Sequence, residues 1–189
     1  MRDCVSNAKP KKKMKSNGGS RVQFWAIGGT VVVLDILTKW MAVQYLSSRP
    51  RPIIGDWLTF QLVFNTGAAF GINVGPYSRW VFLVLALVAL GVLGSMVRHA
   101  KPGDSIRLAA LALVCGGAVG NLIDRVRSAR GVVDFIDVGL GAYRWPTFNI
   151  ADSAVTVGAI VLAYVLWMDG REEERARRTD GPDPAGASS

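Results

Sequence analysis

The sequence predicts an all-α membrane protein: four transmembrane helices carrying a small β-containing subdomain at the outer face. Three observations predict it. Half of the 189 residues are apolar and the mean hydropathy is positive. Four apolar segments, about 22–46, 78–97, 106–123 and 152–168, approach the roughly 17–25 residues a helix needs to cross hydrocarbon. The two long connections between them, 47–77 and 124–151, hold nearly all the unusual polar motifs.

Taken in order, residues 1–21 are polar and Lys-rich without periodicity, and are expected to be a disordered cytoplasmic tail. A cleaved signal peptide is the competing reading of the run from Val22 to Leu34, but no small-x-small cleavage pattern follows it. The first helix instead continues through Asp35, Lys39 and Trp40 to Leu46. In the first long connection, the apolar-rich stretch 57–64 is bounded by Asp56 and Asn65 and reads as a short strand on the membrane surface. From there it is expected to cover the polar site as a lid, with Trp57 and Phe60 at headgroup level. The second and third spans follow, the third with Gly116 and Gly120 at the small-xxx-small spacing that lets two helices approach closely. In the second long connection, the turn signal Gly139-Leu140-Gly141 suggests a small hairpin within 134–148. The fourth span is followed by 169–189, charged and then rich in Gly, Pro and Ser, expected to be a second disordered cytoplasmic tail. Residues 22–168 thus form one transmembrane domain.

A net charge of +8 suggests nucleic acid at first sight, yet no basic face is interleaved with aromatics, which argues against it. The basic residues read as topology signals. The tails and the 98–107 loop carry 14 Lys and Arg against 7 in residues 47–79 and 124–152, which places both termini in the cytoplasm and the long connections outside. Cys4 and Cys115 are poorly placed to pair, one in a polar tail and the other in an apolar run. His99, the one histidine, lies in a short basic loop. Chemistry built on a Ser-His-Asp triad, a Cys-His pair or a His-rich zinc site is therefore excluded.

What remains is carboxylate chemistry. Asp35 and Lys39 stand four residues apart on one helical face, either as a structural pair or as a substrate contact. Asn121, Asp124 and Arg125 close the third span, and Asp134, Asp137, Asn149 and Asp152 follow before the fourth. Asp134 sits within Val-Val-Asp-Phe-Ile and Asp152 ends Phe-Asn-Ile-Ala-Asp, apolar frames that a solvated acidic loop does not need. Two facing carboxylates in a low-dielectric place share one proton and can act as general base and general acid together. This is the aspartic-protease arrangement, with a water attacking an amide. Asn121 and Asn149 are placed to orient the carboxylates or to donate to the oxyanion. Contact between Asp134 and Asp152 requires the loop after the third helix to fold back onto the start of the fourth.

Five blocks in order, Asp35-Ile-Leu-Thr-Lys39, Asn65-Thr-Gly-Ala-Ala-Phe-Gly71, Gly116-Gly-Ala-Val-Gly-Asn-Leu-Ile-Asp-Arg125, Val132-Val-Asp-Phe135 and Phe148-Asn-Ile-Ala-Asp-Ser153, resemble the motifs of the bacterial lipoprotein signal peptidases, or signal peptidases II. The resemblance covers about residues 22–168. It implies a monomeric inner-membrane aspartyl endopeptidase without metal or organic cofactor, surrounded by membrane lipids. The implied reaction is removal of signal peptides from diacylglyceryl-modified prolipoproteins, with cleavage before the lipidated cysteine. By motif the catalytic residues are Asp134 and Asp152. Asn65, Asn121, Arg125 and Asn149 fall where the family surrounds substrate or the inhibitor globomycin, and Asp124 falls where a structural partner of the site stands. Asp35 and Lys39 match as well.

Two other functions fit parts of the sequence. A metal-dependent lipid-carrier phosphatase would hold magnesium on Asp124, Asp134, Asp137 and Asp152 and phosphate on Arg125, Arg127 and Arg130. A small transporter or scaffold would string its ionisable residues across the bundle rather than gather them at one face.

Overall fold

The computed structural model describes residues 17–67, 75–101 and 103–179. Hydrocarbon leaves backbone polar groups no partners but each other, so long apolar segments become helices. These are α1 (Asn17–Tyr45), α2 (Ser78–His99), α3 (Ser105–Arg127) and α4 (Ile150–Thr179). All four are long and apolar enough to cross a membrane. α3 is central and packs against each of the others. Its Gly116 and Gly120 let α1 come close: a Cβ on Gly116 would stand 2.8 Å from the Gly28 carbonyl oxygen, and one on Gly120 2.5 Å from Asp35 Oδ2. At the opposite end Arg107 of α3 pairs with Asp104 and with Asp169 of α4, tying those two helices together.

The expected tails need correction where they meet the helices. α1 already begins at Asn17, and α4 runs on through Gly170 to Thr179. Beyond Trp167 the helix is sustained by Ala, Glu and Arg, strong helix formers, and by a Glu174–Arg178 pair at the favourable i,i+4 spacing, 2.6 Å apart. The remainder of the expected tails, 1–16 and 180–189, lies outside the described residues.

Two hairpins form the sheet. β1 (Arg51–Ile54) and β2 (Leu58–Asn65) join α1 to α2, while β3 (Val132–Leu140) and β4 (Tyr143–Arg144) follow α3. The order is β1-β2-β3-β4, each strand antiparallel to the next. Gly141 closes the second hairpin at φ 54°, a left-handed conformation that favours glycine. Alternation buries one face of β2: Phe60, Leu62 and Phe64 pack with Val133 and Phe135 onto Ala42 and Leu46 at the end of α1, while the register with β3 shifts by one residue between Phe60 and Val63. Phe60 and Phe135 meet edge to face, centroids 6.0 Å apart. This corrects the lid expectation, because 57–64 is held inside the sheet by its apolar face rather than lying over the polar cluster. Its terminal Asn65 is the part that reaches Asp134.

Candidate active site

The fold-back that the sequence requires is made by three backbone hydrogen bonds. Phe135 N and Ile136 N donate to Phe148 O at 3.0 and 2.8 Å, and Phe148 N donates to Ile136 O at 3.0 Å. This bridge lays the start of α4 against β3. Asn149, immediately before α4, then exchanges two bonds with Asp152: its Oδ1 accepts from Asp152 N at 2.8 Å, and its own N donates to Asp152 Oδ2 at 3.2 Å. Reciprocal bonding of this kind is a capping box, which satisfies orphan donors at a helix start and fixes both side chains.

From that anchor Asn149, fully buried, donates through Nδ2 to Asp134 Oδ1 at 2.7 Å, to the Val133 carbonyl at 3.2 Å and to Asn121 Oδ1 at 3.1 Å. Asn65 Nδ2 donates to Asp134 Oδ2 at 3.0 Å, and Asn121 Nδ2 to Asp152 Oδ1 at 2.7 Å. Each carboxylate is therefore gripped by a carboxamide, and Asn149 touches both. The carboxamides orient the acids. Asp134 is only 2% exposed. Burial, the dominant cause, and the neighbouring charge of Asp152 push its pKa up to about 6, against the opposing pull of its two carboxamide donors and Lys39.

Both carboxylates line one cavity of about 410 Å³, with Asn65, Asn121 and Arg125 on its polar wall. Val155 and Val157 of α4, with Trp145 and Pro146, supply its apolar side. Arg125 is held by the Asn121 and Gly67 carbonyls at 3.3 and 3.1 Å, so its guanidinium is fixed beside the acids without bonding to them. The 145–147 wall was not singled out in the sequence. Its marker in the sequence is Pro146, a residue that breaks regular structure, between the hairpin and α4.

Asp35, Lys39 and Asp124 stand behind this cavity. Lys39 Nζ meets Asp35 Oδ2 at 2.7 Å, Asp124 Oδ2 at 2.9 Å and Asn121 Oδ1 at 2.9 Å. Asp35 Oδ1 also accepts from Ala151 N at 2.9 Å, one of the unpaired donors in the first turn of α4. Asp124 Oδ2 accepts from Val133 N at 3.2 Å, pinning β3 to α3. Of the two roles open to the Asp35–Lys39 pair, the structural one is what this geometry supplies. Asp137 leaves the cluster altogether: its carboxylate takes Gln61 Nε2 at 2.8 Å and Arg144 Nε at 3.0 Å. The four carboxylates proposed for magnesium therefore do not converge. Among the described residues no cluster of three His, Cys, Asp or Glu side chains is placed to hold a metal ion.

A family model described as signal peptidase (SPase) II matches residues 27–168. A lipoprotein signal peptidase of Geobacillus kaustophilus (strain HTA426) is 39% identical over 140 residues, which is 74% of this chain and 88% of that protein. One from Burkholderia mallei (strain SAVP1) is 37% identical over 152 residues, 79% of this chain and 90% of its own. Two solved structures, each described as a bacterial membrane enzyme studied by the in meso method, superpose with TM-scores of 0.71 and 0.68 at 31% and 32% identity. They cover 84% and 82% of this chain, and 93% and 96% of theirs.

Proposed function

The chain belongs to the signal peptidase II family, multi-pass membrane proteases that remove signal peptides from prolipoproteins, and from that premise we propose that Asp134 and Asp152 are its catalytic dyad. The observation that carries this reading is the pair of carboxylates on one cavity wall, bridged by Asn149. Asp134, whose pKa is about 6, holds the shared proton. Asp152 takes a proton from a water whose oxygen attacks the scissile carbonyl, and Asp134 gives its proton to the developing oxyanion. The tetrahedral intermediate then collapses as the leaving nitrogen receives the proton held by Asp152 and the ionised Asp134 takes back a hydroxyl proton, which restores the starting dyad. Asn65, Asn121 and Asn149 position the acids. Arg125 provides a fixed positive charge at the cavity wall.

The substrate of this reading is a prolipoprotein whose cysteine already carries diacylglycerol, cut just before that cysteine. The apolar side of the cavity along α4 suits such a substrate, which is half lipid, and the same cavity would take globomycin. The enzyme acts as a monomer, with 22–168 as the working unit. Incubating the purified enzyme with a diacylglyceryl-modified prolipoprotein and weighing the products tests reaction and site together. The expected products are a free signal peptide and a chain beginning at the lipidated cysteine, formed equally in the presence of a chelator. Intact substrate, or cleavage elsewhere, overturns the reading.

The charge count further supports a bacterial inner-membrane location with both termini cytoplasmic and the dyad at the outer face. A reporter fused after Thr179 is expected to be active only if it works in the cytoplasm. Activity from an exclusively extracytoplasmic reporter at that position reverses the orientation.

A further inference from the structure

A second cavity, of about 270 Å³, lies on the other side of β3 from the dyad. Thr38, Met41, Ala42 and Tyr45 line it at positions i, i+3, i+4 and i+7 of α1, one helical stripe spanning about 10 Å along the axis. Ala42 and Leu46, 4% and 7% exposed, form its floor, and Phe60 and Phe135 its wall. Met41 and Tyr45, 50% and 59% exposed, leave it open toward the bilayer. Among the described residues no acidic side chain lines it.

At its mouth stands Arg51. It is the cross-strand partner of Phe60, so both side chains project from the same face of the sheet. Arg51 follows the end of α1 and is exposed, and among the described residues no ion pair is formed by it. Tyr45 sits at the same level, where an amphipathic ring suits the headgroup region. The groove thus has an apolar slot running inward along a membrane helix and a free cation at the interface. We propose that it is a binding site for one anionic phospholipid, its acyl chain lying along the Thr38–Tyr45 stripe and its phosphate on the Arg51 guanidinium.

Charge complementarity selects this occupant. The diacylglyceryl group on a substrate cysteine is an uncharged lipid without phosphate and makes no use of Arg51, whereas a phospholipid engages both parts. The site is separate from the dyad and does not depend on the catalytic assignment.

Native mass spectrometry of the detergent-purified full chain, titrated with phosphatidylglycerol, phosphatidylcholine or diacylglycerol, tests it. The wild-type enzyme is expected to retain one phosphatidylglycerol in preference to the other two lipids. Arg51→Ala weakens phosphatidylglycerol retention about fivefold, the effect of one basic residue at an anionic lipid surface, and Arg51→Glu abolishes the preference. Both leave cleavage of a prolipoprotein in neutral detergent unchanged. Met41→Trp, which narrows the slot from its exposed side, lowers retention of every lipid. Equal phosphatidylglycerol binding by wild type and Arg51→Glu overturns the proposal, as does a wild-type preference for diacylglycerol.

Discussion

Asp134→Asn and Asp152→Asn are each expected to lower prolipoprotein cleavage by about 10⁴-fold or more while the protein still folds and inserts, the scale seen when one member of a catalytic unit is removed. Asparagine keeps the size and a hydrogen-bonding oxygen but cannot pass a proton. The double variant is expected to be hardly worse than either single one, because residues acting as a unit are strongly non-additive. Substantial turnover by a well-folded single variant eliminates the dyad. Asp137→Asn acts differently: its carboxylate ties Gln61 to Arg144. It should loosen the β3–β4 hairpin without this loss of chemistry.

The raised pKa of Asp134 gives the same experiment a pH dimension. The reactive dyad needs Asp134 protonated and Asp152 ionised, so kcat/KM should fall as pH rises through about 6 in the free enzyme. Asn65 donates to the ionised form of Asp134 and holds its pKa down. Asn65→Leu therefore moves the basic limb to higher pH. Stability follows the same sign: a buried carboxyl whose folded pKa exceeds the ordinary 3.8 contributes stability below pH 3.8 that is lost as pH rises through about 6. Asp134→Asn removes that dependence.

The helices were legible because hydrocarbon thickness demands long apolar runs, and the β2 strand because Phe60, Leu62 and Phe64 alternate. The end of α4 was not, since beyond Trp167 hydropathy stops reporting and helix propensity takes over. Placing 57–64 as a lid missed that its apolar alternation needs a partner, which α1 supplies. Of the site, the acids themselves stood out by their apolar frames. Grouping Asp137 with them could not be corrected from the sequence: a bulge at Phe135 and Ile136, whose N–H groups both bond Phe148 O, keeps Asp137 on the sheet face of Asp134, and what separates it is the capture of its carboxylate by Gln61 and Arg144. Of the partners of Lys39, Asp35 was legible at i,i+4, but Asn121 and Asp124 were not, because they come from α3, more than eighty residues away, and helix rotation decides which of its residues face α1.

Lys39→Met is expected to destabilise the protein by about 3–5 kcal/mol, the range for removing one partner of a buried ion pair, against total stabilities of only about 5–15 kcal/mol. Lys39 is 4% exposed, and its three ammonium hydrogens have three acceptors within 2.9 Å. Methionine matches the stem but leaves Asp35, fully buried, and Asp124 without their cation. Those two carboxylates hold Ala151 N of α4 and Val133 N of β3. The elements carrying both acids therefore loosen together. Adding Asp35→Asn should restore part of the loss, because the double variant buries one fewer unpaired charge. Lys39→Arg is no conservative replacement, since a planar guanidinium needs more room than the space where Gly120 already approaches Asp35 Oδ2. Thermal unfolding in detergent reads the effect. Activity of the folded fraction provides a second readout, because Asn121 Oδ1 loses the Lys39 bond that helps hold its amide on Asp152. The expected result is lower kcat with KM nearly unchanged. A Lys39→Met enzyme that melts within about 1 kcal/mol of wild type, small beside the cost of an unpaired buried charge, contradicts the role assigned to this pair.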